Sequence, residues 1–436
     1  MARAESTSSA SVHPSRLRSL QALGIFCGFA AGAWLGGAEA PIKLVNPDIS
    51  PITVSLVMVC GVFLARWSVP AFVRGTSHVR SDIRQAPHLV VWAILAGCMW
   101  AVANTLTIYA IRNVGLSIAF PLWNSNSLLG IFWGIVLFKE LHFAGWKRWL
   151  GVLGGALCMF AGATLLAIAS SHEAAPGMAA MGIAAALGAG ILWGTMYIPY
   201  RKAYLTGMNP LSFITFFTVG ELITMLILAV SYRGASPLWR ELSSARPVLF
   251  WLMLGGFVWV IGDLFQQYAT KYVGISRGIP LSNTNQLWGL LWGILVFHEL
   301  HGSGHITYMQ VAGGSVMMAL GAVAIASSSA TEREHSSWRT AAEREGQRYG
   351  VEKEYVRAGM EGRAVSGSVD ATTSTTRTFL DWLLIFGTTA IFVALAVLAR
   401  FPHVPISLSW AIILCVAMVA LLASCAIALW RTTGFR

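Results

Sequence analysis

Long apolar runs alternate with short polar breaks along most of the chain. Runs of about 20 apolar residues, enough for a helix to cross the hydrocarbon of a bilayer, fall at roughly 20–40, 52–73, 89–111, 114–138, 149–169, 178–200, 211–230, 248–269, 274–297 and 308–326. Two more follow at about 379–399 and 406–430, joined by the polar-edged segment Arg400 to Pro405. Between these groups the pattern changes. Residues 331–377 carry eight acidic residues and eight Lys or Arg, then the Ser/Thr-rich stretch Thr372–Thr376. That stretch predicts a charged cytoplasmic helix from Trp338 to about Gly362, followed by a flexible linker. The expected class is an all-α polytopic membrane protein.

The apolar pattern also repeats. Residues 100–145 recur at 259–304, shifted by 159 positions without a gap, with 20 of 46 residues identical. Trp100, Tyr109, Ser117, Pro121, Asn124, Asn126, Trp133, Glu140 and His142 are answered by Trp259, Tyr268, Ser276, Pro280, Asn283, Asn285, Trp292, Glu299 and His301. Gly154-Gly155 and Gly162-Ala163 match Gly313-Gly314 and Gly321-Ala322 at the same shift. Each unit holds five runs, and an odd number makes the second unit enter the membrane from the opposite side. The chain is therefore expected to divide into a leader at 1–19, a first five-helix repeat at 20–170, an inverted second repeat at 178–328, a charged cytoplasmic linker at 331–377 and an accessory hairpin at 379–430. Inverted repeats of this kind place a substrate site near the bilayer midplane, between the halves. Because the repeat ends near residue 328, truncation after Ala330 is expected to leave a working ten-helix core.

Composition narrows the partners. The chain is 56% hydrophobic and 11% charged, with a formal net charge of +11. The basic residues are dispersed between apolar runs, as in cytoplasmic loops, so nucleic acid is not an expected partner. Placing the N-terminus inside puts thirteen Lys and Arg on the cytoplasmic side against five outside, which favours that orientation in a cell membrane. The six cysteines, Cys27, Cys60, Cys98, Cys158, Cys415 and Cys425, lie inside apolar runs without paired spacing. They predict neither a disulfide framework nor a metal site. The first run ends in Ala38-Glu39-Ala40, as a cleavable leader would, but Pro41 argues that it stays attached.

Polar side chains inside membrane helices must face protein or a watery cavity. Trp100, Asn104 and Thr107 share one face of the third helix. Trp259, Asp263 and Gln266 occupy the equivalent face of the eighth, with Gln267 at its edge. An indole beside amides and a carboxylate suits a sugar, whose C–H face packs on aromatic rings while its hydroxyls need donors and acceptors. The competing reading is interhelical contact. In the fourth and ninth helices Pro121 and Pro280 free the carbonyls of Ser117 and Ser276. Asn124 and Asn283 lie on the proline face and are assigned to the cavity. Asn126 and Asn285 point away and are assigned to helix contacts, a division that local unwinding would undo. Glu221, Asp263 and Glu39 are the candidate proton-coupling acids, against a reading as paired structural carboxyls. His298-Glu299-Leu-His301 does not follow the His-Glu-x-x-His pattern, so neither metal nor cofactor is expected, and Glu140 and Glu299 are read as ending their helices or pairing with loop bases.

Ten helices in two inverted halves, with Glu140-Leu141 and Glu299-Leu300 closing each fourth helix, resemble the drug/metabolite transporter superfamily. Pro41-x-Lys43 and the two Pro-Leu-x-Asn-x-Asn segments, from Pro121 and Pro280, are most similar to its glucose/ribose uptake and rhamnose–proton symporter branches. The resemblance covers about residues 20–328, and the tail from 331 departs from it. It implies sugar uptake coupled to protons, with sodium as the other coupling ion to consider. Three alternatives stay open: export or exchange of another small metabolite (a nucleoside, ureide or amino-acid derivative), a membrane-embedded enzyme, and a non-transporting receptor. The acids and histidines are too dispersed to favour an enzyme, and there is no phosphate-cradling glycine loop for ATP. The oligomeric state is open, and the accessory hairpin could serve packing or a homo-oligomer.

Overall fold

The computed structural model describes residues 14–38, 40–44, 49–114, 119, 122–123, 125–169, 179–298, 300–302, 304–362, 377–400 and 405–435. These residues form helices and turns. In chain order the helices are α1 (Pro14–Gly37), α2 (Ala40–Lys43), α3 (Pro51–Val73), α4 (Ser77–Gln85), α5 (His88–Val114), α6 (Asn126–Phe138), α7 (Gly145–Ala169), α8 (Ala179–Leu205), α9 (Pro210–Arg233) and α10 (Ala235–Ser244). They continue as α11 (Leu249–Val273), α12 (Ile275–Ser282), α13 (Asn285–Leu291), α14 (His305–Ser327), α15 (Glu332–Arg348), α16 (Lys353–Glu361), α17 (Phe379–Leu398) and α18 (Leu408–Thr433). Among the described residues, ten helices are long and apolar enough to cross a membrane. The chain is an integral multi-pass membrane protein.

The ninth apolar run is not a continuous helix. The described helix of the fourth, α6, has 13 residues. The ninth starts at Gly274, whose φ of 87° lies in the left-handed region, and is broken again at Asn283 and Thr284, between α12 and α13. It then widens into a single π turn, Trp292–Val296. Lys139 and His298, which correspond at the 159-residue shift, close these helices in the left-handed region at φ 53° and 55°. A non-glycine residue there is uncommon and signals local strain.

Elsewhere, local chemistry starts the spans at corresponding positions. Ser50 and Asn209 cap α3 and α9 with their side-chain oxygens, and each is followed by a proline at the first helical position, where a missing N–H costs nothing. Close helix contacts recur in pairs at the same shift. Gly97 meets the Phe217 carbonyl while Gly256 meets that of Met58, and Gly61 meets Met253 while Gly220 meets Ile94. Added Cβ atoms at these glycines would strike backbone, so small residues set the helix spacing.

The accessory hairpin lies along the outside of this core. Met418 and Leu429 of α18 join the cluster around Trp34 of α1, and the Trp34 indole donates to the Met418 carbonyl at 3.0 Å. Phe392 of α17 packs beside Leu252 and Met253 of α11.

The charged segment differs from the single charged helix expected from Trp338 to about Gly362. It folds as two helices, α15 and α16, pressed against one end of the bundle, with Trp338 only 2% exposed and Glu334 fully buried. Hydrophobic residues at Trp338, Ala342, Val351, Tyr355 and Val356 extend the core cluster that runs beneath them. Residues 363–376, which include most of the expected linker, lie outside the described residues.

Candidate functional site

Three core helices bring one base and two acids together in the interior. Arg66 of α3 places Nη1 at 3.2 Å from Glu221 Oε2 of α9 and Nη2 at 2.8 Å from Asp263 Oδ2 of α11. All three residues are fully buried. The guanidinium is held flat by aromatic rings, 4.1 Å from the Phe217 centroid and 5.3 Å from that of Trp259, an arrangement that favours arginine over lysine. Gln267 donates to Asp263 Oδ2 at 2.8 Å, and the Tyr204 hydroxyl donates to Gln267 Oε1.

Burying these charges is costly unless they are paired and hydrogen-bonded. The pairing is incomplete. Glu221 Oε1, Asp263 Oδ1, Arg66 Nε and the Tyr200 hydroxyl have no hydrogen-bond partner among the described residues. With all groups ionised, one guanidinium faces two carboxylates, so a single proton shared by the acids brings the cluster to neutrality. Such a pair titrates as a unit rather than as two separate acids.

The structure gathers some of the residues singled out by sequence and separates others. Glu221, Asp263 and Trp259 meet around Arg66. Trp100 joins them by packing edge-on against Trp259, with ring centroids 5.2 Å apart and planes at 62°. The two indoles therefore touch each other instead of facing across a gap. Asn104 donates to Ser55 Oγ at 3.1 Å, and Gln266 donates to Ser282 Oγ at 2.6 Å, so both lie beside neighbouring helices. Asn283 Nδ2 donates to Ser127 Oγ, which in turn donates to Asn126 Oδ1 at 3.3 Å. The break at Asn283 puts it in one network with Asn126 of the fourth run. Asn124, Glu39 and Glu299 lie outside the described residues.

Arg66 is the functional candidate that sequence reasoning missed. The signal was present: a lone arginine inside the apolar run 52–73, where an ionisable residue is a site candidate by default. The search there was directed at acids and amides.

A protein-family model described as sugar transport protein matches residues 47–169 and 184–346. The match includes Arg66, Glu221 and Asp263 and runs into α15. A sugar uptake protein of Listeria innocua is 23% identical over 237 residues, covering 53% of this chain and 77% of that protein. The glucose uptake protein of Staphylococcus xylosus is 24% identical over 216 residues, covering 48% of this chain and 69% of its own length. A Streptococcus pyogenes sugar uptake protein is 44% identical over 64 residues, 14% of this chain and 22% of that protein.

Proposed function

The chain belongs to the sugar transport protein family, and on that premise we propose that it is a secondary transporter for monosaccharide uptake by proton symport across the cell membrane. The two five-helix units are read as inverted halves that rock about the interior cluster, with the N-terminus cytoplasmic. The observation that carries the reading is Arg66 held between Glu221 and Asp263. A buried cluster with one more acid than base changes its pairing when a proton enters or leaves. Arg66 then shifts between α9 and α11, one helix on each side of it.

Trp100 and Trp259 are the proposed sugar platform. Parted from each other, the indoles present flat faces to the sugar's C–H groups. Asn104, Gln266 and Asn283 are the proposed hydroxyl partners once their present helix contacts are exchanged for substrate, and Asn124 is proposed with them. The names of the relatives support glucose as the first substrate to try.

Purified protein in liposomes is expected to accumulate labelled glucose when the lumen is more alkaline than the bath. It should equilibrate glucose without accumulating it when no gradient is imposed. Accumulation driven equally well by a sodium gradient at constant pH would replace the proton in this reading. Absence of glucose movement under every gradient would remove the sugar.

A further inference from the structure

The charged tail occupies a position that a solvated linker would not. Glu334 of α15 accepts the Leu141 backbone N–H at 2.8 Å and pairs with Arg277 Nη2 at 3.2 Å. Arg277 Nε also donates to the Ser328 carbonyl at 2.7 Å. Trp338 lies under the Arg201 guanidinium, 4.3 Å from ring centroid to Cζ. Glu345 pairs with Lys202 at 2.7 Å, and Tyr349 stacks on His88 at 3.8 Å. In α16, the Tyr355 hydroxyl donates to Asp82 Oδ1 at 2.7 Å, and Arg16 Nη2 donates to the Glu361 carbonyl at 2.9 Å.

These partners are drawn from both units. Asp82, His88 and Leu141 lie in the first unit, with Arg16 in the leader before it, whereas Arg201, Lys202 and Arg277 follow residue 178. Directly beneath the tail the units are also tied to each other. Glu140 pairs with Arg201 Nε at 2.9 Å and accepts the Ile275 and Ser276 backbone N–H groups at 3.2 and 2.9 Å. Parting the two units at this end breaks either the bond from Leu141 to Glu334 or that from Glu334 to Arg277.

We propose that α15 and α16 form a strap that holds this end of the bundle shut, and that the path opens there only when the strap lets go. The inference rests on reading the chain as an alternating-access carrier, but its test does not depend on the cargo. A buried Glu334 bonded to both units couples their separation to undocking of the helix. Three of the tail's contacts are ionic or cation–π, those of Glu334 with Arg277, Trp338 with Arg201 and Glu345 with Lys202, and such contacts can re-form when the tail returns. The strap is therefore a reversible closure.

Two buried serines report on the two ends. Ser276 lies under the strap, fully buried beside Glu140, and Ser55 lies near the opposite end of α3, 6% exposed. Each is replaced singly by cysteine in the full chain, in lipid nanodiscs where both faces meet the bath. Modification by a water-soluble maleimide is followed at the reporter peptide by mass spectrometry. Combining Glu334→Gln with Trp338→Ala is expected to speed modification of the Ser276→Cys reporter at least fivefold while leaving the Ser55→Cys reporter no faster. The milder Glu345→Lys, at a partly exposed ion pair, should act in the same direction without threatening the fold. Unchanged rates at Ser276→Cys in both strap variants overturn the proposal. Equal acceleration at both reporters also overturns it, because it means general loosening. Failure of glucose uptake with a positive reporter result would remove the sugar and leave the strap.

Discussion

Among the described residues, the interior charge cluster and the one at the tail end are built differently. In the interior, Glu221 and Asp263 accept from side chains, those of Arg66 and Gln267. At the tail end, Glu140 accepts two backbone N–H groups and Glu334 accepts those of Leu141 and Thr331. A backbone donor moves only when its helix moves, whereas a side-chain donor can change partner by rotating. The interior also has two acids to one base, while Glu140 and Glu334 face Arg201 and Arg277. One cluster is uneven and can re-pair. The other is balanced and parts only when the segments that carry its backbone donors part. The difference matches a coupling site in the first case and a closure in the second.

The strongest way to test this contrast is to remove one arginine from each cluster. Losing one partner of a buried ion pair costs about 3–5 kcal/mol, so Arg66→Leu and Arg277→Leu should lower thermal stability to a similar degree. Their transport should differ. Arg66→Leu is expected to abolish both accumulation and counterflow exchange, and Arg66→Lys to restore part of the exchange, since it keeps the charge but not the fork that bridges two acids. Arg277→Leu should keep exchange, because it loosens a closure. Equal transport in the two Leu variants at equal expression would erase the functional distinction between the clusters.

A smaller and more selective loss is expected from the acids. Glu221→Gln and Asp263→Asn each leave one carboxylate for Arg66, so the interior is neutral without a proton. In at least one of them pH-driven accumulation should vanish while counterflow exchange stays within about threefold of the parent, because the loaded carrier can still change face. If both variants accumulate glucose against a gradient as the parent does, the proton does not travel through this cluster.

How much of this was legible in the sequence depends on the kind of interaction. Most of the membrane helices were, because apolar length alone marks a span. Glu221 and Asp263 were legible as isolated acids at depth. Their joint partner Arg66 was not, because pairing across α3, α9 and α11 is a property of packing that no spacing along the chain encodes. The interruption at Asn283 was only half legible: Pro280 announces a weakened helix, but where the chain turns depends on the helices around it. The two-helix form of the tail was not legible, because its alternating charges read as one charged helix. Its buried face is carried by a few residues, among them Glu334 and Trp338, and charge density hides them.

The smallest effect expected concerns the pH dependence of the strap. His335 lies beside Trp338 with ring centroids 4.8 Å apart, and its Nε2 is 2.8 Å from Gln21 Nε2. The Gln21 amide also donates to the Ala330 carbonyl at 2.6 Å. An imidazole that accepts from Gln21 must be neutral at Nε2, and protonation would set donor against donor. Burial first, then the charges of Arg201, Arg277 and Arg339, lower the His335 pKa to about 4, with Glu334 opposing them. In the released tail the group returns to the ordinary value near 6.5. Its docked value is the lower one, so docking is at full strength above about pH 7 and weakens as pH falls from 6.5 toward 4. Between pH 7.5 and 6 the released fraction should rise about fourfold. Amide hydrogen exchange of the α15 peptides, corrected for the intrinsic effect of pH, reads this directly. The rise should disappear in His335→Gln. If that variant shows the same rise, His335 is not its source and is only a packed ring.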